Sequence, residues 1–143
     1  MYKRQEKERL EYYRLVRNVK KVYPISKEIN QAIIETYEYL QTLPNEKARQ
    51  KHLKRVEKGL KEQYTARMKK LSFAQGKLLI KLIDRQSNST SYELVKAFMG
   101  PFKAGFYQTF AALFGASLKK EYDPLGEDKL TERVVLLVEN GQI

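Results

Sequence analysis

Apolar residues recur at steps of three and four along almost the whole chain, and this period most strongly limits how it can fold. Such steps place side chains on one face of an α-helix, whereas a half-buried strand alternates at every second residue. A strand over residues 78–83 would find no partner strands elsewhere in the sequence. We therefore predict an all-α fold. The first amphipathic stretch illustrates the pattern with Tyr12, Leu15, Val16, Val19, Val22 and Tyr23.

Prolines and capping residues divide this pattern into segments. Pro24 and Gly100-Pro101 are expected to break helices, and Ser87–Ser89 is expected to form a loop. The expected total is about six helices. The predicted segments are 6–23, 25–43, 46–71, 73–86, 90–99, 102–118 and 127–140.

The segment over 73–86 is expected to be the central helix. Ser72 and Gln75 form a capping box before it. Its apolar residues cover most of the circumference, which leaves Lys77, Lys81 and Asp84 as its only predicted solvent-exposed edge. We expect the apolar run to be the most buried in the chain, and it consists of Leu78, Leu79, Ile80, Leu82 and Ile83.

The length of 143 residues suits one domain, so we predict a single compact domain over residues 1–143. The chain has no Cys, which excludes a disulfide framework. No stretch approaches the ~18 apolar residues of a membrane-spanning helix. The start of the chain is polar, so it contains no signal peptide. It opens directly into a charged helical pattern, which makes residues 1–5 candidates for a non-native start.

Positive charge is concentrated in the first half of the chain. Residues 1–70 have a net charge of +10, whereas residues 71–143 have a net charge of +1. Some surface of the first half should therefore attract polyanions.

The most regular basic pattern lies in the segment over 46–71. Five lysines at steps of four and three should form one solvent-facing line, which we call the lysine ridge. Like-charge pairs at this spacing mildly destabilise a helix, so an anionic partner is one explanation, and a merely solubilising face is the other. The ridge consists of Lys47, Lys51, Lys54, Lys58 and Lys61.

Catalytic and metal-binding patterns are sparse. His52 is the only histidine, so no histidine-pair zinc site exists. Neither a serine-nucleophile motif nor a glycine-rich phosphate loop is present. The acidic cluster near residue 125 lacks the spacing of a calcium-binding loop and suits the start of the last helix. The acidic cluster consists of Glu121, Asp123, Glu127 and Asp128. We therefore predict no catalytic residue, metal or cofactor.

Phenylalanines recur at every fourth position from Phe102 to Phe114. Such a row usually belongs to the core of a helical protein, which is the interpretation we favour. Binding of a lipid or of a partner helix is the alternative.

Four stretches of the chain, residues 71–85, 13–24, 90–94 and 122–124, resemble the domain-of-unknown-function family 4294 of Bacteroidota. The resemblance covers nearly the whole chain, and the block from Gln75 to Arg85 is its most specific part. It implies no assigned activity, cofactor or catalytic residue. It does imply an export signal before the basic helix, and hence an extracytoplasmic, periplasmic location.

Polar residues of the motif block share one side of the central helix. Since buried charges need partners, we predict an acidic group within salt-bridge distance of one of its cations. The same residues would alternatively line a pocket. This network or pocket set is Gln75, Lys77, Lys81, Asp84, Arg85 and Tyr92.

These observations favour a binding or structural module over an enzyme. The predicted activity is association with an anionic macromolecule or surface, namely nucleic acid, anionic lipid or acidic glycan. The alternative is a hydrolase that uses paired carboxylates on cell-wall or glycan material, since such a pair is spatial and leaves no local motif.

Overall fold

Five α-helices make up the regular structure of the residues described in this computed structural model. It describes residues 2–89, 93–115 and 121–143, and their side chains except those of residues 2, 89 and 93–99. No strand occurs in these ranges. The predicted all-α class is confirmed, with five helices rather than about six. They are α1 (Tyr2–Gln41), α2 (Glu46–Met68), α3 (Phe73–Ser89), α4 (Glu93–Phe114) and α5 (Lys129–Glu139).

Helix α1 runs through Pro24, so the predicted break at this proline is wrong. Proline lacks the N–H that would bond to the carbonyl four residues back. The helix continues because residues on both sides of the proline, including Val22 and Ile29, are buried in one core. The Ser26 hydroxyl also donates to the Tyr23 carbonyl at 2.7 Å. Pro24 itself faces solvent, where water can bond to the freed carbonyl.

Two further predicted interruptions are also wrong. Helix α4 passes through Pro101, because Phe102 and Phe106 beyond it are anchored in the core. Helix α3 continues through the predicted loop at Ser87–Ser89, where Ser87 is buried and Asn88 donates to Asp84 one turn back, at 3.4 Å. The start of the segment predicted over 90–99 and the end of the segment predicted over 102–118 lie outside the described residues.

Helix α3 packs between α1 and α4, while α5 packs on α1 and α2 packs on α1 and α4. Helix α1 packs on all four other helices, so the helix at the centre of the packing is α1 rather than the predicted α3. The burial predicted for the apolar run of α3 is observed at most of its positions. Leu79 and Leu82 are fully buried, whereas Leu78 is only partly buried. The phenylalanine row joins the same core, with Phe114 partly buried at its end; its fully packed members are Phe102, Phe106 and Phe110.

Gly76 allows a close approach between α3 and α4. A Cβ added at this position would lie 2.9 Å from the Phe114 ring. The predicted capping box starts the helix just before this contact. The backbone N–H of Gln75 donates to the Ser72 hydroxyl at 3.2 Å, and the backbone N–H of Ser72 donates to the Gln75 side-chain oxygen at 3.1 Å. The beginning of α3 is thus fixed both by its cap and by its packing.

The predicted solvent exposure of Lys81 and Asp84 is wrong. They are only 5% and 1% exposed because the segment before α5 and the side chain of α4 residue Lys103 cover them. On α5, Val135 is buried whereas Leu130 is exposed. Leu130 lies in the first turn of α5, outside the stretch that enters the core.

Candidate functional site

The lysine ridge lies on the outer face of α2. Asn45 caps this helix by accepting a hydrogen bond from the Ala48 N–H at 2.9 Å. Val56, Leu60 and Tyr64 pack toward the core. The ridge lies on the opposite side of the helix, so all five of its lysines are exposed: Lys47, Lys51, Lys54, Lys58 and Lys61.

Within the described residues, no carboxylate lies within ion-pair distance of any ridge lysine. Other cations of α2 do find partners, since Arg49 pairs with Glu46 at 3.3 Å and Arg67 pairs with Glu28 of α1 at 2.5 Å. The ridge therefore presents positive charge that the described surface does not neutralise.

Among the described side chains of the same half of the chain, two aromatic rings are exposed. Tyr13 and Tyr39, which lie outside the predicted apolar stripes, are 61% and 50% exposed. The Tyr39 ring lies 4.5 Å from the His52 ring, next to the ridge residue Lys51. His52, the only histidine of the chain, therefore packs against an aromatic ring of α1.

A second cluster of charges is buried where α3 meets the segment before α5. Both carboxylate oxygens of Asp128 lie 2.9 Å from the Lys81 Nζ, and Glu127 lies 3.8 Å from it. Asp128 also accepts the Asp123 N–H at 2.9 Å. Since Lys81 and Asp128 are almost fully buried, each compensates the charge of the other.

Asp84 joins three parts of the fold. One of its oxygens accepts the Tyr122 N–H at 2.8 Å, and the other forms an ion pair with Lys103 of α4. Tyr107 of α4 also lies near this carboxylate. Burial, followed by the negative charges of Asp84 and Glu121, raises the pKa of Tyr107 to about 12. The Tyr107 hydroxyl therefore stays protonated near neutral pH.

Arg85 extends the cluster along α3. Its Nε donates to Glu132 of α5 at 2.7 Å, and the Tyr122 hydroxyl donates to the same carboxylate at 3.0 Å. Burial raises the pKa of Tyr122, and the hydrogen bond to Glu132 raises it further. Burial is the largest single influence and lowers the pKa of Arg85. The hydrogen bond to Glu132, the negative charge of Glu132 and the contributions of Tyr23 and Tyr122 together outweigh it, so the net pKa is raised. The cluster holds these groups in their usual protonation states.

The predicted pairing of a motif-block cation with a carboxylate is confirmed at Lys81 and Arg85, whereas Asp84 pairs with Lys103 of α4. Gln75 instead caps α3 and donates to Asn18 of α1 at 3.1 Å, and Lys77 is exposed. Tyr92 lies outside the described residues.

A shallow groove of about 410 Å³ borders the cluster between α1, α3 and the start of α5. Lys77 and Arg14 line it beside Lys81 and Asp128. Basic and acidic groups are mixed there, so the groove has no strong preference for one sign of charge.

The residues that form ion pairs with the charged side chains of α3 were not identified from the sequence. Lys81 and Arg85 are four residues apart, as are Asp128 and Glu132. Since residues four apart share a helix face, two such pairs of opposite charge can match each other when the helices meet. This equal spacing is the signal that could have found them; nothing comparable marks Lys103.

Asp123 and Asp128, in the turn before α5, help to form the contact between that segment and α3. Asp128 precedes α5 but makes no side-chain capping bond, because its carboxylate is held by Lys81. A Cβ added at Gly126 would meet only the Asp123 carboxylate, at 2.3 Å, and this exposed side chain can move aside, so the turn does not require glycine there. Among the described residues, no group of three or more potential metal ligands converges. In the same part of the chain, no helix is long and apolar enough to cross a membrane.

Comparisons with known proteins place the chain in a family without adding an activity. Neither a curated protein nor a solved structure shows detectable similarity to it. The family model described as domain of unknown function DUF4294 matches residues 1–137, nearly the entire sequence. The chain therefore belongs to the DUF4294 family.

Proposed function

We propose that the protein is a binding module that associates with an anionic macromolecule or surface through the lysine ridge. The observation that carries this proposal is the exposure of five lysines on one face of α2 with no carboxylate partner among the described residues. At a rise of about 1.5 Å per residue, the ridge extends for roughly 20 Å. That length suits several phosphates or headgroups in a row rather than one small anion.

Charge reversal of the ridge tests the proposal. Changing Lys51, Lys54 and Lys58 to Glu should weaken binding to duplex DNA, heparin and anionic vesicles by at least about tenfold at low salt, since each removes one contact. For wild-type binding to DNA, log K should fall with log salt with a slope of about −4 for four to five neutralised phosphates. Titrations at about 50 and 200 mM salt measure both quantities.

A matched variant separates the ridge from overall charge. Lys7, Lys20 and Lys21 are exposed on α1, and their change to Glu alters the net charge by the same amount. This variant should retain most of the binding. An equal loss of binding in both variants would mean that only the net charge of the protein matters. Weak binding by the wild type would reject the proposal.

The ion pairing of the carboxylates around α3 favours a binding function over the hydrolase alternative. Asp84, Asp128 and Glu132 are each engaged by a cation, whereas a hydrolytic pair needs one group free to donate or accept a proton. An extracytoplasmic location stays a prediction from the family resemblance.

A further inference from the structure

An apolar groove opens beside the lysine ridge, between α2 and α4. Its volume is about 240 Å³, and Leu60, Phe102 and Phe106 line it. Lys61 belongs both to this groove and to the ridge. Glu57 also lines the groove, so the other lysines of the ridge supply the excess positive charge on this side.

The groove is suited to an unbranched apolar segment. The Thr109 hydroxyl, which lines it, already donates to the Gly105 carbonyl at 3.0 Å. Gly105 leaves space, because an added Cβ would meet nothing within 4 Å. Complete small-molecule sites usually enclose about 300–1,000 Å³, so this groove would hold part of a ligand rather than all of it.

We propose that the anionic partner is a lipid surface, with headgroups on the lysine ridge and one acyl chain entering the groove. This inference rests on the proposed function. A row of cations and an apolar recess on the same helix provide the two weak signals that together give stable membrane attachment. Nucleic acid and acidic glycan match the charge but have no aliphatic chain for the recess.

Filling the groove tests the inference without changing the charge. In Gly105→Gln, a polar side chain would occupy the recess and add no apolar surface. Gly59→Gln is the matched control, since Gly59 is a helical glycine of α2 with open space around it and does not line the groove. Circular dichroism and thermal unfolding of both variants establish that they fold.

The measurement is co-sedimentation with phosphatidylcholine vesicles with and without phosphatidylglycerol, and titration with heparin in parallel. We expect Gly105→Gln to reduce partition onto anionic vesicles by about tenfold, the value of about two buried methylenes, and to leave heparin binding unchanged. The reduction should persist at about 200 mM salt, where charge contributes less. Gly59→Gln should match the wild type in both assays.

The other outcomes distinguish the two proposals. Wild-type binding to heparin or DNA without binding to anionic vesicles would overturn the lipid inference and leave the ridge proposal standing. Unchanged vesicle binding by folded Gly105→Gln would do the same. Absence of wild-type binding to every anionic probe would reject both.

Discussion

Helices α2 and α3 both carry lysines at helical spacing, but their surroundings are opposite. The ridge lysines of α2 are exposed and have no carboxylate partner in the described ranges. Lys81 of α3 is 5% exposed, and Asp128 holds it with two contacts of 2.9 Å. The difference lies in what covers each helix, because the segment before α5 reaches α3 whereas the outer face of α2 stays open. A covered lysine stabilises an internal contact, and an open one is available to another molecule.

The largest expected effect comes from breaking the covered pair. Asp128→Ala would leave the buried Lys81 ammonium without its main partner and should lower the free energy of unfolding by about 3–5 kcal/mol. Glu28→Ala breaks the exposed pair with Arg67 of α2 and should cost at most about 1 kcal/mol. Urea unfolding of the two variants gives both values. Similar small losses would mean that water already reaches Lys81.

The same comparison can be made with apolar side chains. Leu82→Ala removes a fully buried side chain of α3 and should lower the free energy of unfolding by about 2–5 kcal/mol. Leu53→Ala on α2 should lower it less, since Leu53 is only partly buried. Leu125→Ala, at a position 91% exposed, is the control and should change it by less than about 0.5 kcal/mol. Equal losses at Leu53 and Leu82 would contradict the deeper burial of the α3 side chain.

The smallest effect tests whether the ridge lysines weaken their own helix. Lys54→Glu places a carboxylate four residues before Lys58, in the favoured orientation, and should raise the stability by about 0.2–0.5 kcal/mol while polyanion binding falls. Lys54→Gln removes the repulsion from Lys51 and Lys58 together with the attraction to Glu57, three residues further on, and should give a smaller gain. Thermal unfolding at low salt measures the change. A loss of stability in both variants would show that Lys54 makes a favourable contact instead.

The parts of the fold that depend on short sequence spacing were predictable. The ridge followed from steps of three and four, and so did the burial of Leu79 and Leu82. The capping box at Ser72 and Gln75 is equally local, since its bonds span three residues.

The parts that depend on distant residues were not predictable in this way. Lys81 has the same helical period as an exposed residue, and its burial depends on Asp128, 47 positions later. Pro24 and Pro101 carry a strong local signal for a break, but the packing of residues on both sides outweighs it. Whether the ridge and the groove bind a ligand depends on a molecule outside the chain.

The length of α1 implies uneven local opening along a single helix. Its 40 residues extend for about 60 Å, and residues 3–11 are exposed throughout. An isolated helical segment of that size is marginal in water, so its amide hydrogens should exchange with solvent through frequent fraying. The amides around Val19 and Val22, in contrast, lie on turns packed in the core and should exchange only through much larger openings. One continuous helix thus contains two kinetic regimes, separated near Tyr12, where its burial begins.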